Sequence, residues 1–138
     1  MATLQDSHDS TGGANPYSIY GVYKVGMTFT AGDNYAIESV EIYAKRNGAA
    51  PGNAVLSLYA TSGGLPTGEA LKNIGADANG WTTSYAWRTF AFASAVDLTK
   101  DTMYALVLEV ATGDETNSVE WESTLLNQYA GGGALLWI

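Results

Sequence analysis

Residues 104–110 read YALVLEV, and this stretch carries the clearest strand pattern in the chain. Its apolar side chains at Tyr104, Leu106, Leu108 and Val110 recur at every second position. Because successive side chains of a β-strand point to opposite faces, one face of this strand is predicted to be buried. No window of the chain shows a convincing helical period, so the sequence predicts an all-β fold.

The same alternation recurs on both sides of this stretch. Further strands are predicted around residues 23–29, 40–45, 55–60, 69–74, 85–92, 119–122 and 134–138. Turn-forming residues separate them, such as Asn79-Gly80, while residues 61–68 are predicted to form a loop. Eight or nine short strands at a spacing of roughly ten residues are typical of an antiparallel β-sandwich of the jelly-roll type.

The chain of 138 residues suits one domain. Residues 1–18 are rich in Ser, Asp, Gly, Thr and Asn, and we interpret them as an extended arm before a single sandwich domain at 19–138. Two placements of this arm stay open, across a partner subunit or along the edge of its own domain. The apolar residues 135–138 are predicted to be buried, either in the domain's own sheet or against a neighbour.

The charge of the chain limits its partners. Six basic residues stand against 14 acidic ones, which gives a formal net charge of −8. Such a surface repels phosphate backbones and anionic lipid, so nucleic acid and membrane insertion are not expected as partners. The longest apolar runs are far shorter than the roughly 20 residues of a membrane helix. The chain has no cysteine, and its first ten residues lack the apolar core of a signal peptide.

The sequence offers little for catalysis. His8 is the single histidine and lies in the polar arm. Glu120 and Glu122 lie two apart on one strand, so their side chains project in parallel instead of facing each other across a sugar ring. We therefore expect a protein that is not an enzyme and has no cofactor.

Calcium is the one ion that the sequence suggests. Acidic residues in predicted turns could bind a hard cation, and the candidates are Asp33, Asp101 and Asp114. The alternative is that aspartate simply suits turns, and we prefer that interpretation.

Aromatic residues are the main candidates for ligand or partner contact. Trp81 follows Asn79-Gly80 in a predicted loop and is the best of them. The other candidates lie near strand or chain ends: Tyr17, Tyr20, Tyr129 and Trp137. Trp87 and Trp121 alternate with polar neighbours, and we expect core packing to be the more common fate of such residues.

A series of short motifs resembles a known family. The motifs are VGMTF (25–29), IESVEIY (37–43), LPTG (65–68), YAW (85–87), LTKDTMYALV (98–107), VEW (119–121) and YAGGGAL (129–135). In their order and spacing they resemble jelly-roll-like β-sandwich domains of phage and metagenomic proteins and of secreted bacterial multidomain proteins. The resemblance implies a non-catalytic carbohydrate-binding or virion-surface module, with no catalytic set to carry over.

Two functions follow as expectations. The first is a virion structural or surface protein, such as a capsid decoration or tail-associated domain, that contacts other copies of itself or other virion proteins. The alternative is a carbohydrate-binding or adhesion module whose partners are glycans. Either function implies a location on the virion surface or outside the cell.

Overall fold

The computed structural model describes residues 4–8, 17–121 and 134–137, and it describes side chains from residue 18 to residue 121. These residues form ten strands: β1 (Leu4–His8), β2 (Tyr17–Ile19), β3 (Val25–Thr30), β4 (Tyr35–Asn47), β5 (Asn53–Ser62), β6 (Leu65–Asp77), β7 (Ala86–Leu98), β8 (Met103–Glu109), β9 (Ser118–Trp121) and β10 (Ala134–Trp137). A single turn of 3₁₀ helix, Ala78–Gly80, joins β6 to the loop before β7. None of the described residues belongs to a helix long and apolar enough to cross a membrane. The predicted all-β fold is confirmed.

The eight strands from β2 to β9 pair in a nested order, in which the first pairs with the last and the second with the second-to-last. β2 pairs with β9, β3 with β8, β4 with β7, and β5 with β6, all antiparallel. Cross-pairs of β4 with β9 and of β5 with β8 complete two sheets, a large sheet containing β2-β9-β4-β7 and a small sheet β3-β8-β5-β6. This nested pairing folded into two layers is the jelly-roll arrangement, as the sequence predicts.

Strands β1 and β10 extend the large sheet. β10 pairs with β4 at Ser39 to Ile42, and β9 pairs with the same strand further along, at Ala44 to Asn47. β9 and β10 therefore lie end to end along one edge of β4, and β1 lies beyond β10. Residues 4–8 and 17–18 of the segment interpreted as an arm thus belong to strands of this sheet, while the domain boundary itself stays a prediction.

The core lies between the two sheets. Alternate residues of the small sheet supply Met27, Phe29, Leu56, Leu58, Leu106 and Leu108, and the large sheet supplies Ile19, Val40, Ile42, Phe90, Val119 and Trp121. Trp121 is fully buried, so the core alternative is confirmed for this residue. Since Val40, Ile42 and Ala44 fill the inward positions of β4 beyond its register shift, the odd-numbered residues from Ser39 to Lys45 are left on the outer face of the large sheet.

Candidate functional site

Three aromatic rings form a row on the outer face of the large sheet. Tyr43 of β4 is paired in register with Trp87 of β7, and Tyr85 precedes β7. The rings of Tyr43 and Tyr85 stack with centroids 5.6 Å apart, and those of Tyr43 and Trp87 meet at 5.3 Å with a tilt of 56°. All three residues are half-buried. We call Tyr43, Tyr85 and Trp87 the aromatic row.

An ion pair lies at the Tyr85 end of the aromatic row. Lys45 Nζ lies 5.3 Å from the centroid of the Tyr85 ring and 3.5 Å from Glu120 Oε2. The Tyr85 hydroxyl donates a hydrogen bond of 3.0 Å to the same carboxylate oxygen. Glu120 thus contacts both a cation and a phenol on this face.

A hydroxyl and a carboxylate lie beside the other end of the row. Glu41 and Thr89 are paired in register one step along β4 and β7 from Tyr43 and Trp87. Thr89 Oγ1 donates a 3.1 Å hydrogen bond to Glu41 Oε1, and Thr89 is exposed. The face therefore combines ring surface with hydrogen-bonding groups, which is the chemistry that recognises the apolar faces and hydroxyls of a sugar.

Two arginines fix the loop that leads into the aromatic row. Arg46 Nε donates to the Trp81 carbonyl at 2.7 Å, and Arg88 Nη2 donates to the Ser84 carbonyl at 2.9 Å and to Thr82 Oγ1 at 3.0 Å. The Arg88 guanidinium also lies over the Trp81 ring, 5.2 Å from its centroid. Burial, and secondarily the charge of Arg46, lowers the pKa of Arg88, which nevertheless stays protonated at neutral pH.

A groove of about 400 Å³ lies on the opposite side of the molecule, on the small sheet. It is lined mainly by apolar and small residues, together with one cation: Lys24, Tyr59, Leu65, Pro66, Gly68 and Val107. A bulge in β6, where the register jumps between its partners Leu58 and Ala60, forms part of one wall. Lys24 pairs with Glu109 at 3.2 Å. The walls of the groove carry fewer hydrogen-bonding groups than the outer face of the large sheet.

The sequence-predicted contact residues are dispersed. Trp81 is half-buried and packs edge-on against the core residue Phe90, with ring centroids 6.1 Å apart. Tyr20 packs against Tyr23 at 5.1 Å, and burial, followed by the charge of Glu115, raises its pKa. Among the remaining candidates, Tyr17 and Trp137 are described by backbone alone, paired with Trp121 and Ser39 respectively, and Tyr129 lies outside the described residues.

The calcium candidates lie at two places. Asp33 and Asp101 are on adjacent loops, since Lys100 N donates to Asn34 Oδ1 and Asp101 N donates to the Ala31 carbonyl. Asp114 follows the far end of β8, and its Oδ1 accepts bonds from both the backbone and the side chains of Thr116 and Asn117. These bonds lower the pKa of Asp114. Within residues 18–121 no three His, Cys, Asp or Glu side chains are grouped to hold a metal.

Sequence reasoning missed Tyr43 and Tyr85 as site residues. The available signal was odd or even position along the strand. Tyr43 lies between the apolar residues Ile42 and Ala44, and Trp87 is three positions from Phe90, so each aromatic residue projects to the face opposite these apolar neighbours. Of the two glutamates considered for catalysis, Glu120 belongs to this face, and Glu122 lies outside the described residues.

No protein-family model matches the chain, and no curated protein matches it significantly. The resemblance to jelly-roll-like domains of phage and secreted proteins therefore stays a prediction.

Proposed function

We propose that the protein is a non-catalytic carbohydrate-binding module and that it holds a glycan on the outer face of its large sheet. The observation that carries this proposal is the aromatic row, in which residues 44 positions apart, Tyr43 and Trp87, are in ring contact beside hydrogen-bonding groups. Trp87 is the principal stacking residue in this proposal. Among the described residues its one ring contact is with Tyr43, whereas Tyr43 contacts rings on two sides.

The shape of the face favours an extended glycan over a small buried ligand. Rings and polar groups lie along the strands from Glu120 to Glu41 instead of converging on a deep pocket. A sugar ring stacked on Trp87 could share hydrogen bonds with Thr89 and Glu41, and the next units could lie over Tyr43 and Tyr85. Stacking supplies most of the affinity in such a site and the polar groups supply selectivity.

A non-catalytic role agrees with the carboxylates of this face. Glycosidases use two carboxyl groups about 5–9.5 Å apart that flank one glycosidic bond, one of them protonated. Here Glu120 is paired with Lys45 and Tyr85, and Glu41 accepts a bond from Thr89. Incubation with the glycans that the protein binds should release no reducing sugar, and detected turnover would contradict the proposal.

The test is a glycan array followed by titration of the strongest ligand into the wild type and two variants. Trp87→Ala should weaken binding by at least about tenfold, which is a loss of about 1.4 kcal/mol. Tyr59→Ala is the matched control, because Tyr59 is a half-buried aromatic residue on the outer face of the other sheet. If the control loses affinity and Trp87→Ala does not, the site is the groove; if no glycan binds, the function is wrong.

A second candidate is a structural protein of a virion that assembles through the edge of its large sheet. The feature that favours it is the pair β1 and β10, which lies outside the nest of β2 to β9. Terminal strands of this kind can be exchanged between copies at small cost, because the rest of the pairing stays intact.

Deleting residues 1–8 tests this assembly. Sedimentation of the purified protein should shift from an oligomer to a monomer, while the thermal transition of the monomer changes little. A wild type that is already monomeric, or a deletion that unfolds the domain, would contradict assembly through β1.

A further inference from the structure

Tyr85 is the one member of the aromatic row that does not belong to a strand. Its ring stacks on Tyr43 and its hydroxyl donates to Glu120, but its backbone is the last residue of the loop that precedes β7. The three residues before it, 82–84, are exposed, so burial in the core does not fix their positions. The position of the Tyr85 ring therefore depends on what holds this loop.

Arg88 bonds to the loop from the opposite face of the large sheet. It is paired in register with the buried Ile42, so its side chain starts on the inner face, whereas its neighbour Trp87 is on the outer face. Its Nη2 donates to the Ser84 carbonyl at 2.9 Å and to Thr82 Oγ1 at 3.0 Å. Within the part of the chain that the structure describes, Arg88 is the one side chain outside the loop that donates to either residue.

The Arg88 side chain is itself fixed by its other contacts. Its Nε donates to the Ala44 carbonyl of β4 at 3.0 Å, and its guanidinium lies over the Trp81 ring, 5.2 Å from the centroid. The Trp81 ring in turn packs edge-on against the buried Phe90. Because a guanidinium is planar and carries five N–H groups, one side chain can bond to the β4 backbone and to the loop at the same time in a fixed geometry.

We propose that Arg88 is a positioning residue of the glycan site, which sets Tyr85 in the aromatic row and so makes the affinity depend on glycan length. This inference rests on the proposed function and names the residue that gives the site its preference for longer chains. Sugar units stacked on Trp87 and Tyr43 do not reach Tyr85, whereas the next unit of a longer glycan does. A ring that is already in place costs no ordering entropy when that unit binds.

A double-mutant cycle tests whether Arg88 acts through Tyr85. The longest ligand found on the glycan array is titrated into wild type, the two single variants and the combined variant. We expect Tyr85→Ala to weaken binding by about fivefold and Arg88→Lys by about threefold, since coupled contacts contribute effects of this order. The combined variant should bind within about 1.5-fold of Tyr85→Ala alone, because a positioning residue has no effect once the residue that it positions is gone.

A series of glycans of increasing length separates positioning from general damage to the fold. Arg88→Lys should bind the shortest glycans within about twofold of wild type, and the loss should appear as the chain becomes long enough to reach Tyr85, because only then is that contact made. A variant that only destabilises the fold lowers the affinity for every length alike.

Arg46→Lys is the matched control. It makes the same substitution in another half-buried arginine, whose side chain donates to the carbonyls of Trp81 and Gly48, neither of which adjoins Tyr85. This variant should keep the length dependence of the wild type.

Two kinds of result overturn the inference, and they are distinguishable. If Arg88→Lys weakens binding equally with and without Tyr85, or weakens it at every glycan length, Arg88 does not position Tyr85 and the glycan-binding function stands. If no glycan binds, the proposed function fails and this inference fails with it.

Discussion

Replacement of Gly48 by alanine tests the packing at the end of the sandwich that holds Arg46. Gly48 has a φ of +73°, and a Cβ at this position overlaps the Thr116 carbonyl oxygen and lies 2.7 Å from Asn117 Oδ1. That Oδ1 accepts hydrogen bonds from Ala49 N and Ala50 N, at 3.1 and 3.0 Å. The methyl group must therefore displace the side chain that anchors the β4–β5 loop.

The expected loss has two parts. An alanine in the left-handed region costs about 1 kcal/mol in backbone strain. Displacing Asn117 loses two hydrogen bonds, each of which contributes about 1 kcal/mol. Gly48→Ala should thus lower the free energy of unfolding by about 3 kcal/mol, and Tm by about 12 °C, since about 1 kcal/mol corresponds to about 4 °C in a domain of this size.

Gly68→Ala separates the cost of backbone strain from the cost of steric overlap. Gly68 has nearly the same φ, +70°, and no atom lies within 4 Å of a Cβ built there. It should cost the strain alone, about 1 kcal/mol and about 4 °C. Thermal unfolding followed by circular dichroism, with urea unfolding at 25 °C, measures both variants. Equal losses in the two variants would refute the close approach of Gly48 to Thr116 and Asn117.

Two further predictions concern residues away from the loop. The hydrogen bonds that lower the pKa of Asp114 stabilise its carboxylate in the folded state, so Asp114→Asn should lower Tm at pH 7. The difference in Tm between wild type and variant should disappear as the pH falls through the folded pKa of Asp114, which lies below the ordinary carboxyl range. A Tm difference that does not depend on pH would contradict this. Trp121→Ala empties a fully buried site and should cost about 3–5 kcal/mol in urea unfolding, whereas Trp87→Ala on the outer face should cost clearly less, and equal losses would contradict the assignment of the two faces.

The core strands could be predicted because their signal is local. The alternation of Leu106 and Leu108 in β8 needs only the two-residue period of a strand, and the structure buries both residues. The same parity argument separates Trp121 from Trp87. Trp121 shares the parity of the buried Val119, and Trp87 has the parity opposite to the buried Phe90.

Strand lengths were predicted less well, because pairing partners extend strands beyond their local pattern. The segment 61–68 was predicted to be a loop, but β5 continues to Ser62 and β6 starts at Leu65, with a tight turn at Gly63 and Gly64 between them. Pro66 lies inside β6, where it is tolerated because β6 is an edge strand. The prediction of a loop was wrong because the antiparallel pairing of β5 with β6 continues through the residues on both sides of the Gly-Gly turn.

The aromatic row could not be predicted, because it depends on register between distant strands. Tyr43 and Trp87 meet only because β4 and β7 are paired with these two residues opposite each other, and a shift of one residue would place Trp87 opposite Ile42 or Ala44. Local alternation identifies the face of each residue but not its cross-strand neighbour. A single sequence therefore indicates which aromatics are on an outer face and leaves open which of them touch.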